Sequence, residues 1–124
     1  MIVADDNGDF SAGLALLLRL RGHEVTTALD GVAALAAAER LRPDAIILDI
    51  DMPGLDGYQV ARRIRATEWG ARVPLMALTA SNPLSPDDPV GKDLFDQHVG
   101  KGGDIVALLK LLDVWLASAH TQGK

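Results

Sequence analysis

Short apolar runs alternate with segments of helical periodicity along the chain, and this alternation constrains the fold more than any other feature. The clearest run, from Ala45 to Leu48, has no polar interruption, as expected for a strand that is covered on both faces of a sheet. Between such runs the apolar residues recur at helical spacing, as Leu14, Leu17 and Leu18 do in the first helix. Alternating strands and helices predict a parallel sheet with right-handed crossovers.

This pattern predicts strands at residues 1–4, 25–28, 45–48, 73–78 and 97–100, with helices between them and after the last. We expect the second helix to turn its larger apolar side chains towards the core and the third helix to leave its arginines in water. The residues concerned are Val32, Leu35 and Leu41 in the second helix and Arg62, Arg63 and Arg65 in the third.

The helix expected between the fourth and fifth strands is irregular. Three prolines at three-residue spacing and a glycine lie between Ala80 and Leu94, and proline inside a helix removes a hydrogen bond and clashes with the preceding turn. We therefore expect one short helix in this segment, beginning between Pro86 and Pro89 and ending by Phe95.

Length and composition bound the class of protein. The 124 residues suit one domain, 1–124, and 48% hydrophobic residues supply a core. The chain has no cysteine, which excludes disulfides, thiolate metal sites and a cysteine nucleophile. The apolar runs are too short to insert in a membrane, and no signal segment appears. A net charge of −5 argues against nucleic-acid binding by this domain, and we expect a cytoplasmic location.

Polar side chains follow four of the predicted strands. Asp5 and Asp6 follow the first, Asp49 the third, Thr79 the fourth and Lys101 the fifth. Because the carboxyl ends of the strands form the ligand crevice of an open parallel sheet, we expect these groups to converge. Three carboxylates, a hydroxyl and an ammonium together suit a divalent metal and a phosphoryl group.

Each of these residues alone has a simpler interpretation. Asp5 and Asp6 favour a turn, and Asp49 could cap the next helix. Thr79 could merely end a strand, and Lys101 could be a solvated charge. The combination of all five in one pattern is what favours a functional site.

The chain resembles a receiver domain of a bacterial response regulator, of the chemotaxis-regulator kind, over essentially its whole length. The matching segments are Ala4 to Asn7, Leu48 to Gly57, Ala77 to Ala80, and Lys101, in the family's order and with its spacing. The resemblance implies an α/β, flavodoxin-like, doubly wound sheet of five parallel strands in the order 2-1-3-4-5. It also implies two-component phosphorelay signalling, in which a kinase phosphohistidine phosphorylates an aspartate in a Mg²⁺-dependent reaction.

By resemblance, Asp49 is the phosphoacceptor, and a carboxylate can form such a covalent acyl phosphate. Asp6 and Asp49 are the expected direct ligands of Mg²⁺, with Asp5 close by and acting partly through water. The backbone carbonyl of Asp51 is the expected third protein ligand. Magnesium favours such sites, since it takes oxygen ligands in octahedral geometry and keeps several waters.

The resemblance also implies how the phosphoryl group is bound and sensed. Lys101, the Thr79 hydroxyl and the Ala80 backbone N–H are expected to bind phosphoryl oxygens. Inward movement of Thr79 would vacate space for the side chain of His98, at the position where the family usually has a switching aromatic residue. Thr79 and His98 are therefore the expected switch residues. We expect two arrangements of these side chains, and phosphorylation would shift the population from one to the other.

Three features depart from the family pattern. Gly102 stands where proline normally follows the lysine, so we expect a trans Lys101–Gly102 peptide and a looser loop. The proline-broken fourth helix belongs to the usual output surface, so partner recognition is expected to differ. Asp51 places an acid two residues after the phosphoacceptor, and we hypothesise that it changes the lifetime of the acyl phosphate.

The expected partners are a sensor histidine kinase or phosphotransfer protein and a downstream protein target. We expect a switch that assists its own phosphorylation and dephosphorylation, not an enzyme. It could be a stand-alone regulator, a phosphate sink or the receiver of a hybrid sensor histidine kinase. The amino-acid sequence of residues 57–65 favours the last of these.

Two alternatives stay open. The sequence from Asp49 to Asp51 resembles the Asp-x-Asp start of haloacid-dehalogenase-type phosphatases, in which the first aspartate is a nucleophile and the second a general acid. The chain could also be a receiver-like interaction module with impaired phosphorylation, for which Gly102 and the broken helix are the only arguments.

Overall fold

The computed structural model describes residues 1–52, 54–79, 94–100 and 105–122. Within these ranges strands and helices alternate as predicted. The elements are β1 (Ile2–Ala4), α1 (Gly8–Leu20), β2 (Thr26–Ala28), α2 (Gly31–Leu41), β3 (Ile46–Asp49), α3 (Gly57–Arg65), β4 (Leu75–Thr79), β5 (Gln97–Gly100) and the C-terminal helix (Ile105–Gln122).

The five strands form one parallel sheet in the order β2-β1-β3-β4-β5, which confirms the predicted doubly wound topology. The strand order reverses between β1 and β3, which lie side by side at the centre. In their register Ala4 lies opposite Leu48, so the residues that follow them, Asp5 and Asp49, reach the same edge at the same level. This edge is the ligand crevice of such folds.

Helices cover the sheet on both faces, which explains why the central strands are apolar without interruption. Side chains of a strand alternate between faces, so Ile46 packs with α2 and α3 while Ile47 packs with α1 and the C-terminal helix. Both are fully buried, and each such side chain stabilises the fold by roughly 1.5–3 kcal/mol. The two layers thus enclose the central strands β1 and β3, which carry the site at their carboxyl ends.

The prediction for the buried face of α2 was wrong in part. Val32 is 62% exposed and Leu41 is 47% exposed, whereas Leu35 packs against the core. The buried face consists of Gly31, Ala34, Ala37 and Ala38. Because α2 packs directly against α3, β1 and β2, small side chains there permit close approach, and the larger ones are turned outward.

The prediction that Arg65 faces water was also wrong. Its side chain is only 17% exposed and pairs with Asp96, with 3.3 Å between Nη2 and Oδ2. It donates hydrogen bonds to the carbonyl oxygens of Gly70 (3.1 Å), Val73 (2.6 Å) and Leu94 (3.1 Å). The guanidinium thus satisfies backbone acceptors in the loop after α3 and ties that loop to the residues that lead into β5. Arg62 and Arg63 are exposed, as predicted.

The C-terminal helix packs along α1 through Leu108, Leu112 and Trp115, and Arg21 at the end of α1 pairs with Asp113. This helix is the longest that the structure describes. Among the described residues, no helix combines the length and apolarity needed to cross a membrane.

The irregular helix expected before β5 falls almost entirely on residues 80–93, which lie outside the described residues. Leu94 is helical and Phe95 is not, in agreement with an end by Phe95. The beginning expected between Pro86 and Pro89 stays a prediction.

Candidate metal and phosphoryl site

Three carboxylates meet at the carboxyl ends of the two central strands. Asp5 and Asp6 follow β1, Asp49 ends β3, and one oxygen from each lies within 4.8 Å of the others. Asp5 is 0% exposed and Asp49 is 1% exposed, whereas Asp6 is exposed. The cluster is therefore walled by the protein around two of its acids and open to solvent at the third.

Backbone N–H groups orient the two buried carboxylates. The N–H of Asn7 donates to Oδ1 of Asp5 at 2.9 Å, and the N–H of Asp51 donates to Oδ1 of Asp49 at 3.1 Å. The Asn7 side chain also caps α1 by accepting from the Phe10 N–H at 3.1 Å. The turn after β1 thus fixes Asp5 and begins α1 with the same residue.

Like charges at this distance repel. Two carboxylates about 4 Å apart repel by roughly 4 kcal/mol at an effective dielectric near 20. A hard divalent cation would offset this repulsion, and three carboxylates in reach of one point are the oxygen donors that such a cation takes. The residues present therefore fit Mg²⁺.

The loop from β3 to α3 carries the backbone of Asp51 past this cluster. The first residue of the loop, Ile50, continues the hydrogen bonding of the sheet, since its N–H donates to the Leu78 carbonyl at 3.0 Å. The end of the loop returns to Ile50, since the Gly57 N–H donates to the Ile50 carbonyl at 3.0 Å. Between them Gly54 adopts φ +75°, a left-handed conformation that favours glycine. The side chain of Asp51 is exposed.

The capping box of α3 fixes the far end of this loop. The Asp56 side chain accepts from the Gln59 N–H at 2.9 Å, and the Gln59 side chain accepts from the Asp56 N–H at 3.0 Å. The loop is therefore held at both ends by hydrogen bonds.

The remaining predicted residues are only partly placed. Thr79 ends β4, opposite Gly100 of β5, and its backbone lies at the same edge of the sheet as Asp49. Ala80 and Lys101 lie outside the described residues, as does the predicted trans peptide before Gly102. The structure thus brings together Asp5, Asp6 and Asp49, and the roles of the others stay predictions.

His98 lies on β5 opposite Ala77 and is half-buried. Its ring makes an edge contact with Phe95 at 5.8 Å between centroids, and Phe95 makes another with Tyr58 at 6.1 Å. Nε2 of His98 is buried, and within the part of the chain that the structure describes it has no hydrogen-bond partner. Sequence reasoning missed the contacts of Phe95, because residues on different elements carry no local signal that pairs them.

Comparison with known proteins places these features in one family. Residues 1–113 match the family described as the response regulator receiver domain. The chain is 48% identical over 90 residues to the transcriptional regulatory protein PrrA of Mycobacterium tuberculosis. That match covers 73% of this chain and 37% of PrrA, so the chain spans well under half of that relative's length.

Solved structures give the same result. The receiver domain of sensor histidine kinase PA1611 from Pseudomonas aeruginosa, with a magnesium ion coordinated in its active site cleft, is 34% identical, with a TM-score of 0.80 and coverage of 94% of this chain and 95% of that one. The chemotaxis response regulator CheY4 of Vibrio cholerae is 30% identical, with a TM-score of 0.83 and coverage of 92% and 95%. The two alternatives, a haloacid-dehalogenase-type phosphatase and an impaired interaction module, find no support in these comparisons.

Proposed function

Because the chain belongs to the response regulator receiver domain family of two-component signalling, we propose that it is a phosphoacceptor switch whose acceptor is Asp49. The observation that carries this proposal is the geometry of one residue. Asp49 is buried, at the carboxyl end of a central strand, and an oxygen of its carboxylate lies within 4.8 Å of Asp5 and Asp6. A nucleophile placed in this way is shielded from bulk water and lies beside a place for a cation.

The proposed metal ligands are the carboxylates of Asp6 and Asp49, the backbone carbonyl of Asp51, and Asp5 partly through water. Their chemistry supports the assignment, since all are oxygen donors and Mg²⁺ binds few protein carboxylates together with water. A magnesium ion held by these residues would supply positive charge that offsets the charge of the acceptor carboxylate and of the phosphoryl group. The magnesium ion in the active site cleft of the PA1611 receiver supports the same choice of cation.

In the proposed reaction an oxygen of Asp49 attacks the phosphorus of the donor. The bond from that oxygen to phosphorus forms while the bond from phosphorus to the donor's imidazole nitrogen breaks, and the nitrogen keeps the electron pair. The Asp51 N–H holds Oδ1 of Asp49 and so fixes the plane of the carboxylate before the attack. Each protein molecule accepts one phosphoryl group in this step. We therefore propose that the protein is a switch that assists its own phosphorylation and dephosphorylation.

We propose Thr79, the Ala80 N–H and Lys101 as the groups that bind the transferred phosphoryl group. The position of Thr79 at the carboxyl end of β4 supports its part in this set. A phosphoryl group adds about −1.5 to −2 charges at neutral pH, so it would attract the hydroxyl and the ammonium.

The proposed response is a change at His98, coupled to Thr79. His98 lies on the neighbouring strand, and its buried Nε2 has no acceptor or donor among the described residues. Phosphorylation would shift the population towards a second arrangement in which the His98 side chain occupies space that Thr79 vacates as it moves inward.

We propose a sensor histidine kinase or phosphotransfer protein as the donor and a further protein as the target. PrrA is a longer transcriptional regulator and the PA1611 receiver is part of a sensor histidine kinase, so both kinds of parent protein suit a receiver of this type. We assign residues 1–124 to one receiver domain that acts in the cytoplasm and does not itself bind nucleic acid.

Labelling with a small phosphodonor tests the proposal. Intact-mass spectrometry after incubation with acetyl phosphate and Mg²⁺ should find one added phosphoryl group on the wild type. Asp49→Asn, and wild type in EDTA, should gain none. Continuous turnover of phosphate monoesters, or an unchanged mass in Mg²⁺, would overturn the proposal.

A further inference from the structure

The first residue of α2 lies against the loop that carries Asp51. A Cβ at Gly31 would lie 2.0 Å from the Leu55 carbonyl oxygen, 2.6 Å from its Cβ and 2.8 Å from its carbonyl carbon. Real Cβ atoms essentially never approach another atom closer than 3.0 Å. Since two of the three atoms belong to the backbone, rotation of the Leu55 side chain cannot relieve the overlap.

The other end of this loop is equally close to its support. A Cβ at Gly57 would lie 2.7 Å from the Asp49 carbonyl oxygen and 2.8 Å from the Ile50 Cα. The loop is thus packed backbone to backbone at its base, and the capping box of Asp56 holds it there. Because the loop is held at Ile50 and Asp56, displacement of Leu55 by α2 would strain the residues between Asp51 and Leu55.

Gly31 has no local reason to be glycine. It occupies the first turn of α2, where Asp30 already caps the helix by accepting from the Ala33 N–H at 2.7 Å. Its φ does not lie in the left-handed region, in contrast to Gly22 and Gly54. Glycine is also a poor helix former, so close packing is the remaining reason for it.

We propose that Gly31 is a positioning residue for the metal site. Its bare Cα lets Leu55 rest on α2, and this contact fixes the loop so that Asp51 reaches Asp49 with its N–H and the cation with its carbonyl. The inference rests on the proposed function and deepens it, because it adds a residue of α2, an element that contributes no group to the site itself.

Gly31→Ala tests this role, and Gly13→Ala is the matched control. Gly13 lies in α1, and nothing lies within 4 Å of a Cβ placed there. Calorimetric titration should find that Gly31→Ala weakens Mg²⁺ binding by about 10-fold, as loss of an outer support of a metal site typically does, while Gly13→Ala leaves the dissociation constant unchanged. The Asp51 amide resonance should shift in Gly31→Ala alone.

A merely structural glycine would behave differently. Its replacement would lower the urea midpoint while the folded variant bound Mg²⁺ with the wild-type dissociation constant, and that result would overturn the inference. If Gly31→Ala proves too unstable to titrate, the Gly13→Ala/Gly31→Ala double variant is measured instead, since alanine at position 13 favours α1.

The wild type separates this inference from the proposed function. If the wild-type protein binds no Mg²⁺ and accepts no phosphoryl group, both the proposed function and the role of Gly31 are wrong. Wild-type protein that binds Mg²⁺, together with a folded Gly31→Ala that binds it equally well, would remove only the role of Gly31.

Discussion

At the scale of single residues, the site combines burial with like charge, and this makes it costly without a cation. Asp5 and Asp49 are both buried and lie together with Asp6. Backbone N–H groups orient two of the carboxylates but leave their charges in place. The protein thus gives up stability at this edge to keep three acids together, as the proposed Mg²⁺ site requires.

Asp5→Asn should therefore stabilise the metal-free protein. Asparagine keeps the shape and the acceptor for the Asn7 N–H while it removes one charge, so urea unfolding in EDTA should give a free energy of unfolding higher by about 1–2 kcal/mol, less than the full repulsion. Saturating Mg²⁺ should reduce or reverse this gain. Equal or lower stability of the variant in EDTA would contradict the picture of repelling acids.

Asp51→Asn should prolong the acyl phosphate. The exposed carboxylate stands two residues beyond Asp49, where it would repel the phosphoryl group or orient a water for hydrolysis. Both effects shorten the lifetime, so their removal should slow dephosphorylation by about 2- to 5-fold, the range of one exposed charge interaction. Release of phosphate after removal of the donor measures the rate, and equal rates in both proteins would end the hypothesis.

At the scale of elements, sequence periodicity predicted the strands well and one helix face poorly. β5 was predicted at its observed bounds. β3 was predicted within one residue, because its uninterrupted apolar run is a strong signal. The face of α2 was mispredicted because larger apolar residues outweighed alanines in the pattern. Close packing of α2 on α3 favours alanine, and that partner is invisible in a local window.

The alanine face of α2 can be tested with a pair of substitutions. Ala38 is fully buried, so Ala38→Leu should overfill the space and lower the free energy of unfolding by about 1–3 kcal/mol. Val32→Thr on the exposed side should change it by no more than about 0.5 kcal/mol. Urea denaturation of both variants measures these changes. A larger loss of stability in Val32→Thr than in Ala38→Leu would support the buried face that was predicted from the sequence.

Arg65 makes contacts that its sequence pattern did not predict. Arg65→Lys keeps the charge but cannot bind Asp96 and the several carbonyl groups together, so it should lower the free energy of unfolding by about 1.5–3 kcal/mol. Emission of the neighbouring Trp69 should shift as the loop loosens. Arg62→Lys, at an exposed position of the same helix, is the control, and equal stability of both variants would contradict the role of Arg65.

At the scale of the whole molecule, the topology of the sheet determines where the acidic residues of the site lie. Parallel β1 and β3 bring Asp5 and Asp49 to one edge, although 43 residues lie between them, 6–48. The sequence predicted this edge from strand ends alone, since the carboxyl ends of neighbouring parallel strands must meet. It could not predict the glycine contacts of the loop or the cluster of Phe95 with His98, because these depend on how packed elements meet.

The most direct measurement is to identify the residue that carries the phosphoryl group. Protein labelled with acetyl phosphate in Mg²⁺ is reduced with borohydride, which converts an aspartyl phosphate to homoserine, and the peptides are sequenced by mass spectrometry. Homoserine is expected at position 49, and unmodified aspartate at positions 5, 6 and 51. Homoserine at any of those three, or a label that survives in Asp49→Asn, would contradict this expectation.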